Sequence, residues 1–473
     1  MNLDLLIIIL FLLLFISLGV FFSRSNKTST DYFKGDGSIP WVVAMFSIVA
    51  TETSVLTFAG IPGIAYNQGW WFIQLAIGYI IGRTLVSFYL LPKYFSSDVI
   101  SIYEVIGSHY GPSIHKFSSV VFLITRLLAD GIRFLLTAIL FDVLTGWGIV
   151  NCVLIIGLIT LLYSYIGGIK SILWIDSIQF FIYLGGGIIS IFYLCSFLTS
   201  NQVMDVINSS LTSVFIFEGS IIKDSNLFIS GIIGGTLLSF SSHGVDYMMV
   251  QRALSCNNLS NAKKAMIGSG FFVLIQFSIF LLIGSLLKEF YMTVDFSAIS
   301  SSYVEGGAFK KDRELAHFIA TYLPVGVRGI LIAGIMSAAM STLSSSINSL
   351  SSSTMRDLLG IKDNIALSKK ISILWALALI IIASVFDQGN KSLVITGLQI
   401  ASFTYGILLS LFLIQLMNKK PKDWMILVGS ACGIASVFLL QSYGVAWTWF
   451  ILVSTVVNIM ISLTLLKLFP NEQ

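Results

Sequence analysis

Met336–Ser353 reads MSAAMSTLSSSINSLSSS, a run of hydroxyl side chains in a chain that is otherwise strongly apolar. Helical spacing sets Ala338, Ser341, Ser344 and Ser345 on neighbouring turns of one face. Hydroxyl oxygens and a freed backbone carbonyl are hard, weakly charged ligands. They suit a partly dehydrated Na⁺ better than a transition metal. Glu52 is the second chemical feature. It is a carboxylate within an apolar segment that also holds Thr51, Thr53, Thr57 and the Ile61-Pro62-Gly63 break. A charge inside a membrane span is costly and is functional by default. Arg126, Asp130 and Arg133 form a third set, sharing one helix face through i,i+4 and i,i+3 spacing. Two readings of this set stand side by side. In one, the charges pair internally, Glu52 with Arg126 or Arg133 and Asp130 with the other. In the second, Arg126 meets a solute carboxylate through its bidentate fork, and Glu52 meets an amine or hydroxyls. Ser54, Thr57, Gln74, Ser239, Ser242 and His243 are weaker hydrogen-bonding candidates, and Phe240, Phe403 and Tyr405 are candidate gates. Each of these is equally a packing or helix-gluing residue.

These residues need a membrane scaffold to position them. The chain has 473 residues, 56% hydrophobic and 11% charged, with a mean hydropathy of +0.91. A soluble protein would carry about a quarter charged residues, so a soluble globular fold is excluded. Cys152, Cys195, Cys256 and Cys432 show no CxxC spacing, and His109, His115, His243 and His317 form no ligand cluster. No nucleic-acid signature is present. No nucleophile–base or metal constellation points to an enzyme. Segments long enough to cross a bilayer, about 20 apolar residues, occur at roughly 3–22, 39–66, 70–91, 117–144, 147–166, 172–198, 227–250, 265–287, 315–345, 370–387, 392–416, 424–441 and 446–466. The first is read as a retained span rather than a signal peptide, because Asp4 and no basic residue precedes it. With the N-terminus outside and the C-terminus inside, most basic residues, including Arg24, Lys27, Lys93, Lys170, Arg252, Lys263, Lys264, Lys369, Lys370, Lys419 and Lys420, fall in inner loops. Two long outer connections follow, about 199–226 and 288–314. Trp70 and Trp71 read as an interfacial belt.

Spans 39–66 and 227–250 are both interrupted. The first has Glu52 and its Pro-Gly break. The second has Gly231, Gly234, Gly235, a serine cluster, His243 and Gly244. They lie five spans apart, so equivalent halves would insert with opposite orientation. That is the mark of an inverted-repeat transporter whose broken helices expose carbonyls at the midplane.

On these residues the chain resembles the sodium/solute symporter family, which includes sodium/glucose, sodium/proline and sodium/sialic acid transporters. The resemblance covers about residues 1 to 466. It is carried by Ser47–Ser54 through Gly60–Gly63, by Tyr165–Lys170 followed by Trp174–Gln179, by Asp246–Arg252, and by Gly329–Ser353 with Ala338–Leu343. It implies an all-α polytopic membrane protein of about 13 transmembrane helices. Its five-plus-five inverted-repeat core would have discontinuous first and sixth core helices. Residues 1–38 would form a leading helix and inner loop, 39–198 the first repeat, 199–416 the second, and 417–473 two trailing helices. The resemblance further implies a Na⁺ site built from the carbonyls of Ala50, Thr53 and Ala338 and the hydroxyls of Ser341 and Thr342. A second Na⁺ position, similar to that of sialic acid transporters, would use Asp176, Ser341, Ser344 and Ser345. Asp176 has a plainer reading as a helix-end carboxylate paired with Lys170. The substrate group would be Glu52, Ser54, Thr57, Gln74, Arg126, Ser239 and His243. The resulting expectation is a symporter of the plasma membrane, coupled to one or two Na⁺. Its solute would be a carboxylate-bearing amino acid, sugar acid or organic acid. A neutral sugar or polyol symporter is the alternative. A transporter-like sensor is a further one, less favoured because no soluble signalling domain follows the last span. Oligomeric state is left open.

Overall fold

The computed structural model describes residues 3–23, 28–35, 37–97, 99–310, 312–386 and 393–470. Arg24 and Lys27 of the charge pattern lie outside the described residues. The long helices are α1 (Leu3–Ser23), α2 (Trp41–Glu52), α3 (Ile61–Gln68), α4 (Phe72–Leu85), α5 (Pro112–Thr145), α6 (Ile149–Phe197), α7 (Ser200–Thr212), α8 (Phe228–Gly244), α9 (Tyr247–Leu254), α10 (Leu259–Tyr291), α11 (Glu314–Tyr322), α12 (Val327–Ser353), α13 (Ile365–Val385), α14 (Leu393–Leu416), α15 (Asp423–Ser442) and α16 (Phe450–Leu468). Among the described residues, nine helices are long and apolar enough to cross a membrane, and up to twelve spans result if each of three bent pairs is one span. The pair 112–145 and 149–162 turns through 115°.

Both interrupted segments are broken helices. The pair 41–52 and 56–68 bends by 61°, and the pair 228–244 and 247–254 by 63°. At the first break Thr53 leaves helical backbone, with φ −90° and ψ 75°. The π-helical turn Leu56–Gly60 then leads into α3. At the second, Asp246 takes extended backbone and its carboxylate caps α9 through the Met248 amide, at 3.0 Å. A further kink divides α6 at Gly168, whose φ of 61° suits glycine.

Helices α4 and α8 pack backbone to backbone. A Cβ on Gly235 would fall 2.3 Å from the Leu75 carbonyl oxygen. Small residues at such crossings let membrane helices approach closely. The leading helix α1 caps α12. The Asp4 carboxylate accepts from the amides of Gly326 (2.6 Å) and Gly329 (3.0 Å) and from Arg328 Nε (2.9 Å). A carboxylate at this position satisfies orphan amides and complements the helix dipole. Trailing helix α16 is held by Asn458, which donates to Ser410 (2.5 Å) of α14 and Ser430 (3.2 Å) of α15.

Two expectations change. The span expected at 315–345 is two helices, because Pro324 and Gly326 (φ 94°) separate α11 from α12. The membrane-spanning segment is therefore 327–358. Trp70 and Trp71 are buried inside the protein rather than forming an interfacial belt. Their indoles donate to Ser285 (2.9 Å) and Gln68 (3.2 Å). The connections 199–226 and 288–314 contain local structure. The first carries α7, started by a Thr199–Gln202 capping box, and the second a hairpin of Val304–Glu305 and Ala308–Phe309.

Candidate cation and solute sites

The break after α2 frees acceptors. Among the described residues, no backbone N–H is hydrogen-bonded to the carbonyls of Ala50 or Thr53, since the Thr53 amide bonds to Val49 and those of Thr57 and Phe58 to Ser54. The Thr342 hydroxyl of α12 lies 3.4 Å from both the Thr51 and Ala338 carbonyls, bridging the two helices beside these groups. The structure therefore brings together the α2 break and the Ala338–Thr342 turn. Five neutral oxygens at such a place can replace much of a Na⁺ hydration shell, which fits the donor preference of that ion.

Ser341 points to a second locus. Its hydroxyl donates to Asp176 Oδ1 (2.7 Å), while Ser47 (2.8 Å) and Thr51 (3.2 Å) donate to Oδ2. Ser345 lies 3.4 Å from the Thr51 hydroxyl. Ser344 bonds back to the Ser341 carbonyl at 3.1 Å. Asp176 is fully buried, and its cationic partner is Arg252, at 3.3 Å, not Lys170. Arg252 also donates to Ser345, to the Met248 carbonyl and to Ser47. The basic residue assigned to an inner loop is thus a buried side chain of α9. In this conformation its guanidinium holds the oxygens that a second Na⁺ would use.

The central cavity lies between the broken helices, α4, α5, α10 and α14. Glu52, Thr57, Arg126, Arg133, Ser242, His243 and Tyr405 provide its polar wall, and Phe72, Tyr79, Phe277 and Leu398 its apolar wall. The space open to water-sized spheres is about 60 Å³, enough for a few waters. Entry of an organic solute must move lining side chains.

Glu52 pairs with Arg83 of α4, and His243 Nε2 stands 3.6 Å from the same carboxylate oxygen. This pairing replaces the expected one with Arg126 or Arg133. Arg126 belongs to a closed network. Its Nε lies 2.7 Å from Asp246 Oδ2, an ion-pair distance without hydrogen-bond alignment. Its NH1 is 3.3 Å from Asp130, and its NH2 donates to Tyr405, which in turn donates to Asp246 (2.8 Å). Asp130 also accepts from Ser346. Arg133 is different. It reaches Asp130 only at 3.6 Å, and among the described residues its buried Nε and NH1 have no hydrogen-bond partner.

The remaining candidates separate cleanly. Ser54 accepts from the Leu56 amide (3.2 Å) and borders a small pocket shared with Arg133 and Thr342. Gln74 donates to the Asn226 carbonyl (2.7 Å), and Ser239 to the Tyr79 carbonyl (3.0 Å), both gluing helices. Phe403 packs on Phe438 and Phe450 of the trailing helices, and Phe240 is buried. Of the candidate gates, Tyr405 lines the cavity. Outside the spans, burial lowers the His317 imidazole to about 4, so it is neutral at pH 7.

Broken helices that free carbonyls beside hydroxyls, next to a small cavity rich in charge, define an ion-coupled membrane carrier. The chain belongs to the sodium:solute symporter family, whose model matches residues 32–433. It is 28% identical over 377 residues to the sodium/sialic acid symporter SiaT of Proteus mirabilis, covering 78% of this chain and 74% of that one. It is 25% identical over 438 residues to the sodium/sialic acid symporter NanT of Aliivibrio fischeri, covering 90% and 85%. The fold matches the substrate-bound outward-open state of a Na⁺-coupled sialic acid symporter. That match has a TM-score of 0.88 at 23% identity, over 100% of this chain and 99% of that one. The protein is therefore a multi-pass Na⁺-coupled transporter of an organic solute, not an enzyme.

Proposed function

We propose that the solute is a carboxylate-bearing sugar acid of the sialic acid class, imported with Na⁺ by alternating access. The observation that carries this reading is Arg133. Its guanidinium faces the cavity with two buried, unbonded nitrogens. A buried donor without a partner costs about 1–3 kcal/mol, and an incoming carboxylate supplies a missing acceptor in a charge-assisted hydrogen bond. A neutral sugar would leave that charge-assisted bond unmade. Glu52 and His243 stand across the cavity to receive hydroxyl or amide groups. Arg126, engaged by Asp246 and Asp130, holds the wall rather than the solute. The names of the two sialic acid symporter relatives support the same solute class.

Na⁺ binds first at the α2 break, with the Ala50, Thr53 and Ala338 carbonyls and the Ser341 and Thr342 hydroxyls as ligands. A second Na⁺ uses Asp176, Ser341 and Ser345 once Arg252 moves aside, with Ser344 able to turn from its helix to join them. The N-terminus lies outside and the C-terminus inside the plasma membrane, and the two broken helices head opposed halves of the core. Ser341→Ala combined with Thr342→Ala removes two ligand hydroxyls, each worth about 0.5–1.5 kcal/mol net. The Na⁺ concentration for half-maximal sialic acid uptake into proteoliposomes should rise about 10- to 100-fold. An unshifted Na⁺ curve removes the first site.

A further inference from the structure

Gln179 is fully buried on α6, and among the described residues neither its amide oxygen nor its nitrogen has a hydrogen-bond partner. The Ser337 hydroxyl of α12 is equally buried and equally unbonded. Two buried polar groups left unmatched in one interface require an explanation, and an absent ion or water is the usual one. Their place is specific. The two helices run antiparallel, with Asp176 bonded to Ser341 (2.7 Å). Two turns along, Tyr183 meets Gly334, where an added Cβ would lie 3.3 Å from the Tyr183 Cα. This register sets Gln179 level with Ala338, and Ser337 beside it. Asp176, Gln179 and Tyr183 therefore form one stripe on α6. Asp176 ends it in the second cation locus. The Tyr183 hydroxyl, at the other end, bonds to Thr53 at the α2 break.

We infer that Gln179, with Ser337, is a Na⁺ ligand pair linking the two cation loci, through which the ion passes between the α2 break and Asp176. An amide oxygen and a hydroxyl are neutral hard donors of the kind already gathered at both ends. They hold an ion in transit without the depth of a charged site. This inference rests on the sodium sites proposed above.

The test uses the full-length protein in proteoliposomes, with ²²Na⁺/Na⁺ exchange and thermal stability measured together. Gln179→Met keeps the volume and removes the polar atoms. The protein should be as stable as wild type or more so, because an unmatched amide is gone, while Na⁺ exchange slows at least tenfold. Gln179→Asn, which keeps a neutral amide ligand, should exchange faster than Gln179→Met. Unchanged exchange in Gln179→Met overturns the inference and leaves an ordered water as the occupant. Marked destabilisation in Gln179→Met also overturns it, assigning the residue a packing role. The Ser341→Ala/Thr342→Ala variant runs in the same assay. If its Na⁺ dependence shifts while Gln179→Met behaves as wild type, the passage alone is wrong. If neither responds, the sodium-site reading itself falls.

Discussion

Replacing Arg133 with Gln should weaken solute binding about 100- to 1,000-fold while the protein stays folded. Truncating one partner of a buried, hydrogen-bonded charge pair costs about 2–5 kcal/mol, and each 1.4 kcal/mol is tenfold in affinity. Among the described residues Arg133 makes only a long contact to Asp130, at 3.6 Å. Asp130 keeps Arg126 and Ser346 when Arg133 is changed, so the fold should lose little. Arg126→Gln should behave in the opposite way. It strands Asp246 and removes a bond to Tyr405, so its loss of stability should exceed that of Arg133→Gln. Sialic acid affinity by calorimetry, with thermal melting of the same samples, separates the two arginines. Equal affinity in Arg133→Gln and wild type would move the carboxylate site elsewhere.

The second large effect concerns Asp176 and Arg252, both fully buried. Removing one member of a buried ion pair leaves an uncompensated charge and costs about 3–5 kcal/mol. Asp176→Asn and Arg252→Met should each lower apparent stability by that order. The double variant should regain most of the loss, since no buried charge is then unpaired. Transport reports differently. Both Asp176→Asn and the double variant should carry fewer Na⁺ per solute, because the second site loses its carboxylate whether or not the fold recovers. Parallel melting and reversal-potential measurements check both halves. Wild-type stability together with wild-type stoichiometry in Asp176→Asn would contradict the assignment.

Much of this architecture can be read from local pattern. The hydroxyl-rich Thr51–Ser54 segment marks where α2 leaves regular helix, while the serine run of α12 lies in unbroken helix and Pro62 falls in the first turn of α3, past the break. Partners across the bundle leave no such trace. Glu52 finds Arg83 on the next long helix, and Asp176 finds Arg252 on α9. Only tertiary register decides these pairings. Arg83 did carry a signal, as a charge within a span that needs a partner. Arg252 was masked by its position at the end of a broken helix, where it reads as a loop residue. Trp70 and Trp71 show the same ambiguity. Amphipathic rings near a span end suit a lipid interface and a protein interface alike.

The central claim, Na⁺-driven import of a carboxylate sugar acid, is tested most directly by radiolabelled sialic acid uptake into proteoliposomes under an inward Na⁺ gradient or an equal K⁺ gradient. The account predicts accumulation above the external concentration with Na⁺, and equilibration at most with K⁺. Equal uptake under both gradients, or none with Na⁺, would contradict it.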